Sequence, residues 1–351
     1  MPDAIAPHPL VVFREGLKEA YPGGQFAASR EGRLLVSAAA GHLAPGAAET
    51  CIPTIYDLAS LTKPLATAVL VGRALELGLC ALNDPLSRFI DDAPDEVTLE
   101  HALEHSTGYP AHLRFDEMLD DLPLGTWDAY RQIVQRAATT PRERPVGHSA
   151  VYSDVGFILL GAAIEQMYGR PISAAFAELG TSLFYLDRRG PPASPFILPN
   201  QRIAPTEACE PGEVHDENCR AMGGAAGHAG LWGTAVGVLS IAESLVAAYH
   251  GEADQLLQPD TVRRLWRPSL VPDSTRTLGW DRPSGQGSST GGQWPSHSVG
   301  HLGFTGTSVW IEPERALIAV LVTNRVHPTR DNTKIRQLRP ALHDAVWSAW
   351  A

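Results

Sequence analysis

Apolar positions recur along the chain with two different periods, and the change from one to the other sketches its elements. Leu10–Tyr21 has helical spacing and leads into two strand-like stretches, Gln25–Ser29 and Leu34–Ala38, which can pair through Glu31-Gly32. The middle is helical and punctuated by prolines. From Pro64 to Leu79 the residues Leu65, Val69, Leu70, Ala74 and Leu77 line one stripe, and further helices are predicted around Glu100–His105, Gly125–Thr139 and Val155–Tyr168. After a run of small residues at 223–230 come a helix over Ala235–Tyr249, strands around Val299–Ile311 and Leu317–Thr323, and a closing helix at Thr333–Trp350. Pro64 lacks an N–H and is tolerated only near a helix start, so the helix behind the first stripe should begin close to Ser60.

That start carries the candidate chemistry. Only three lysines occur in 351 residues, and one of them, Lys63, follows Ser60 by three places in Ser60-Leu61-Thr62-Lys63. On a helix, residues i and i+3 share a face with Cβ atoms about 5–6 Å apart, so the amine reaches the hydroxyl. Ser-x-x-Lys is short enough to recur by chance, and its placement at the head of an amphipathic helix is what distinguishes this copy. There the macrodipole favours an alkoxide or a tetrahedral oxyanion. A serine hydroxyl is a poor nucleophile at neutral pH and needs a base. Lys63 fits that role if burial or another cation depresses its pKa.

The string Tyr56-Asp57-Leu58-Ala59-Ser60-Leu61-Thr62-Lys63-Pro64 resembles the first motif of the serine β-lactamase and penicillin-binding superfamily, in its class C and esterase-like branch. Tyr152-Ser153-Asp154 resembles that family's Tyr-x-Asn motif with aspartate in place of asparagine. Gly300-His301-Leu302-Gly303-Phe304-Thr305-Gly306-Thr307 resembles its Lys-Thr-Gly strand with histidine in place of lysine. The resemblance implies an α/β plus α, transpeptidase-like fold: an antiparallel sheet flanked by helices, with an all-helical domain inserted. The expected division is 1–75 with 222–351 for the discontinuous α/β domain and 76–221 for the helical one. It also implies catalysis by Ser60, Lys63 and Tyr152, and an oxyanion hole from the backbone amides of Ser60 and Phe304. Gly303 suits a place where backbone and substrate approach closely. His301 is mostly neutral at pH 7 at its ordinary pKa, so weaker recognition of substrate carboxylates is expected than from a lysine. Asp154 cannot donate as an asparagine amide does, and is expected to contact substrate or to steady Lys63 as a counter-ion.

Other residues invite chemistry. Gly212-Glu213-Val214-His215-Asp216-Glu217-Asn218 and the run Met222–Leu231 resemble segments of an amidase- and esterase-like subgroup, which makes His215, Asp216 and His228 candidate substrate contacts; a solvated, capped turn would use the same residue types. Arg325, after Asn324 and the apolar run Leu317–Thr323, offers a bidentate fork for a carboxylate. Gly287-Ser288-Ser289-Thr290-Gly291 satisfies Gly-x-Ser-x-Gly, but it lies in a Gly/Ser loop without the strand and helix that motif requires. Cys209, His215, Asp216 and Cys219 lack the paired spacing of a common structural zinc site, so no metal or other cofactor is expected.

Length suggests two domains, and 44% hydrophobic with 19% charged residues is ample for a packed core. The net charge of −11 argues against nucleic-acid or anionic-membrane partners. Four dispersed cysteines and an N-terminus, Met1–His8, without a basic region and apolar core lead us to expect a cytoplasmic protein. The resulting expectation is a serine hydrolase that acylates Ser60 and hydrolyses a small ester or a muropeptide-type amide, with at most weak β-lactam hydrolysis. The alternatives are a slow penicillin-binding sensor and a zinc-binding protein.

Overall fold

The computed structural model describes residues 7–189, 202–207 and 210–351. In chain order the elements are α1 (Pro9–Glu19), β1 (Gly23–Arg30), β2 (Arg33–Gly41), β3 (Tyr56–Asp57), α2 (Ala68–Glu76), α3 (Leu99–Leu103), α4 (Trp127–Ala138), α5 (Asp154–Tyr168) and α6 (Ile172–Ala177). They continue with β4 (Phe184–Tyr185), α7 (Glu217–Ala221), β5 (Leu231–Gly233), α8 (Ala235–Tyr249), α9 (Pro259–Leu265), β6 (Val299–Leu302), β7 (Ser308–Glu312), β8 (Leu317–Thr323) and α10 (Ile335–Trp350). The main sheet runs β2-β1-β8-β7-β6 with every pair antiparallel, so both ends of the chain build one sheet. This is the antiparallel sheet flanked by helices that the motifs led us to expect.

Both faces of that sheet are covered, which explains the unbroken apolar run of β8. Its residues alternate between two cores: Ile318, Val320 and Val322 join the large cluster shared with α2, α5 and α8, while Leu317, Ala319 and Leu321 join Phe13, Phe26, Trp310 and Leu342 under α1 and α10. A strand buried on both faces reads as continuous rather than alternating hydrophobicity. β6 is the edge strand, and the turn leaving it faces the start of α2. A second, three-stranded sheet, β3-β5-β4, was not legible, because strands of two or three residues leave no period to read.

The helix expected from Ser60 onward begins irregularly. Ala59–Leu61 form a 3₁₀ turn and Lys63–Thr67 a π-type turn before regular α2 begins at Ala68. Pro64 supplies no N–H to a first α turn, and Ala59 adopts φ of 48°, a left-handed conformation rare outside glycine. Such strain persists only where the surroundings over-determine it. Here Asp57 Oδ1 accepts the Ala59 amide at 2.8 Å while Oδ2 accepts the His215 amide at 2.8 Å. Burial pushes the Asp57 carboxyl up to about 6 despite those two bonds.

Candidate active site

Ser60, Lys63, Tyr152 and Asp154 converge where the 59–67 turns meet the head of α5. Lys63 is completely buried, and its ammonium donates to Ser60 Oγ at 3.1 Å and to the His228 carbonyl at 3.0 Å, and pairs with Asp154 Oδ1 at 2.8 Å. The His228 carbonyl reaches Lys63 because Gly227 lies against Gly161 of α5; a Cβ on Gly227 would fall 2.2 Å from the Phe157 carbonyl. Asp154 spends its other oxygen on His112 Nδ1 at 3.3 Å.

The expectation of a depressed lysine pKa is corrected by this geometry. Burial alone would push the ammonium down, but the Asp154 carboxylate and the Tyr152 phenol outweigh it and hold Lys63 above its ordinary value. Burial would likewise raise Asp154, and Lys63 with His112 keeps it well below the usual carboxylate range. Tyr152 is raised by burial, against the pull of the Lys63 charge and of hydrogen bonds with Lys63 and Ser60. Its ring lies 4.8 Å from Lys63 Nζ and 5.3 Å from the Arg276 guanidinium carbon, and is tilted against His105 at 4.7 Å. The resting site therefore holds an ammonium, a neutral phenol and a hydroxyl.

On the other side lies the turn after β6. Its residues are stitched to the nucleophile turn: Thr305 Oγ1 donates to the Asp57 carbonyl at 2.8 Å and Thr307 Oγ1 to the Leu58 carbonyl at 3.1 Å. Gly303 is required by that closeness, since a Cβ there would lie 2.7 Å from the Leu58 carbonyl. Buried Arg339 of α10 donates to the Gly303 and Thr307 carbonyls at 2.6 and 2.7 Å, although burial lowers its pKa to about 9. Among the described residues, neither the Ser60 nor the Phe304 amide is taken by a protein acceptor, so both remain available as oxyanion donors.

Several expected contacts need relocating. His301 does not face the cavity at Ser60: it is 2% exposed, its Nδ1 bonds the Leu302 carbonyl, and burial with Lys63 and Arg276 nearby lowers its pKa to about 3. Arg325 is not a free fork, because its guanidinium is spent on the carbonyls of Phe304, Arg330 and Asn332. Asn324 clamps the Leu43 and Pro205 carbonyls instead of a ligand. Of the segment around 215, His215 stacks on the Phe304 ring at 5.4 Å and bonds Glu207, and Asp216 takes the buried His228 Nε2 at 2.8 Å. Of the residues weighed for zinc, Cys219 Sγ donates to the Ala229 carbonyl, and Cys209 lies outside the described residues. Ser289 sits in a loop whose carbonyl accepts from His343, without the strand–helix setting of a nucleophile elbow.

A cavity of about 320 Å³ opens on Ser60, lined by Ala59, His112, Tyr152, Asp154, His215, Asp216, Glu217, Ala229, Phe304 and Arg330. His112, Arg276, Arg330 and Arg339 were not singled out from the sequence. They stand in loops or in α10, far from any motif, and only the folded chain brings them near Ser60.

A hydroxyl, an ammonium–phenol pair and two free amides thus converge on one cavity. The chain belongs to the Beta-lactamase family, whose sequence model matches residues 12–343. An Escherichia coli (strain K12) protein provisionally named as a D-alanyl-D-alanine carboxypeptidase is 28% identical over 319 residues, covering 80% of this chain and 71% of that one. The N-acetylmuramyl-L-alanine amidase of Bacillus subtilis (strain 168) is 26% identical over 353 residues, covering 88% and 78%. Among solved structures, EstCE1, described as a hydrolase with promiscuous acyltransferase activity, superposes with a TM-score of 0.71 at 19% identity, over 95% of this chain and 97% of that one. No helix among the described residues is long and apolar enough to cross a membrane.

Proposed function

We propose that this β-lactamase-family serine hydrolase works through an acyl-enzyme on Ser60 and hydrolyses the ester or amide bond of a small substrate. The observation that carries the reading is the placement of Ser60 Oγ, 3.1 Å from Lys63 Nζ and hydrogen-bonded with Tyr152, at the mouth of a cavity beside two unengaged amides. With Lys63 held as an ammonium, the base is the Tyr152 phenolate, formed when the resting phenol releases its own proton to solvent and stabilised by that ammonium; it then takes the serine proton. Oγ attacks the carbonyl carbon, the oxyanion settles between the Ser60 and Phe304 amides, and the phenol returns the proton to the leaving group. Water repeats the sequence on the acyl-enzyme. A muropeptide-type amide suits the named relatives, whereas β-lactam turnover is expected to be weak because the guanidinium lining the cavity, Arg330, is already paired with Glu207 and Glu217.

Turnover of a chromogenic ester, followed beside intact-mass detection of adducts, tests this. Many turnovers with an adduct lost on Ser60→Ala support it. A single persistent adduct would instead identify a slow penicillin-binding sensor.

A further inference from the structure

The cavity at Ser60 carries a charge that the proposed chemistry does not use. Three carboxylates, Asp154, Asp216 and Glu217, line it against one guanidinium, Arg330, and two imidazoles, His112 and His215, the first paired with Asp154 and the second with Glu207. The ionised groups directly behind, Lys63 and Glu207, are one of each sign and leave the negative excess unchanged. Arg330 is also not free to meet an anion: it pairs with Glu207 at 2.6 Å and Glu217 at 2.7 Å. Asp154 has both oxygens occupied, by Lys63 and His112.

Asp216 differs. Its Oδ1 accepts both the Cys219 amide and His228 Nε2, each at 2.8 Å, while its Oδ2 has no partner among the described residues. His228 is 1% exposed and its Nδ1 meets no donor or acceptor, so the ring's one buried bond is the one that orients Asp216. Burial alone would push this carboxyl up, but His228 and the Cys219 amide hold it below its ordinary value. A carboxylate positioned by a buried imidazole, with one oxygen unpartnered among the described residues and lining the same 320 Å³ space as Ser60, is a receptor for a donor.

We propose that Asp216 binds an ammonium group on the acyl portion of the substrate, so that the enzyme acts on small aminoacyl esters or amides with a free amino group. The inference rests on the hydrolase reading above. Ser60 Oγ forms the bond to the aminoacyl carbon, the bond to the leaving group breaks, the serine proton departs with that group, and water releases the amino acid. A cavity of this volume is at the lower end for small-molecule sites, which suits one residue rather than a long peptide.

The test compares the 4-nitroanilides of alanine, N-acetylalanine and N-succinylalanine, each in both enantiomers, at pH 6.5. We expect kcat/KM for the free amine to exceed that of the acetyl compound by tenfold or more, with the succinyl compound lowest. The preference should fade as pH rises through the amine's own pKa, roughly 7.7–8.0 for an α-amino group. Asp216→Asn should collapse the amine-to-acetyl ratio toward one. Because Asp216 also caps α7, the Ser60 labelling rate with a neutral fluorophosphonate reports whether that variant keeps its site, and the wild-type pH dependence decides if it does not. Equal or better turnover of the acetyl or succinyl compounds overturns the inference while leaving the hydrolase reading intact. If no anilide is turned over, protection of Ser60 against labelling still decides: alaninamide must protect better than N-acetylalaninamide.

Discussion

The two walls that meet at Ser60 present charge in opposite ways. On the wall built from the 59–67 turns and α5, the Lys63 ammonium reaches Ser60 Oγ directly at 3.1 Å, with Asp154 and His112 behind it in series at 2.8 and 3.3 Å. On the wall built from β6 and its turn, no ionised side chain reaches the cavity; Phe304 offers its ring and its amide, and the cation responsible, Arg339, works from behind through carbonyls. On the proposed chemistry, one wall handles protons and the other the oxyanion. On that same chemistry, a carboxylate-bearing substrate finds no cation in His301, which is buried and neutral, and meets Asp216 and Glu217 in the same cavity.

Removing the proton machinery should produce the largest effect. Lys63→Ala and Tyr152→Phe should each lower kcat by on the order of 10²–10⁴-fold, the usual contribution of a positioned acid or base. Steady-state rates within a few-fold of wild type for either variant would remove it from the chemistry.

Asp154→Asn sharpens the contrast next. Asp154 raises the pKa of both Lys63 and Tyr152. Without its charge both fall, so the acidic limb of the kcat/KM profile should move to lower pH by about one unit, an effect equivalent to ~1.4 kcal/mol. The amide is the proper probe, since truncation to alanine would strand a buried ammonium at a cost of about 3–5 kcal/mol. An alkaline shift, or none, would show that Asp154 does not set these protonation states.

On the sheet wall, Arg339→Met should lower kcat by about tenfold with little change in KM, short of the ~10²–10³-fold cost of losing an oxyanion donor outright. An equal loss confined to KM would place Arg339 in binding instead. The smallest effect concerns His301. With its pKa near 3, the affinity of Ser60→Ala for a penicillin-type carboxylate should not change as pH falls from 7.5 to 5.5. Strengthening through pH 6.5, seen by calorimetry, would mean that the ring is reachable and titrates there. The sign for stability is separate: a histidine held neutral stabilises the fold above its unfolded pKa of about 6.5, and that contribution is lost as pH falls toward 3.

Where the chain was legible follows the same physics. Long periodic segments were read nearly to their ends, α8 and β8 at their observed bounds, because periodicity accumulates with length. Ser60 and Lys63 were legible because i, i+3 spacing is a local relation. The protonation state of Lys63 was not, since it depends on a carboxylate ninety-one places away in the chain. His301 shows the converse limit: its motif position suggested a ring facing substrate, and burial behind Tyr152 and Arg276 was invisible. Arg325 looked free and Arg330 went unnoticed, although only Arg330 lines the cavity.

The identity of the nucleophile is the claim on which both walls depend. Labelling the intact protein with a fluorophosphonate and mapping the modified peptide by mass spectrometry tests it directly. The structure predicts one adduct, on Ser60, formed at a rate that falls sharply in Tyr152→Phe. An adduct on Ser289, or undiminished labelling of Ser60→Ala, would contradict it.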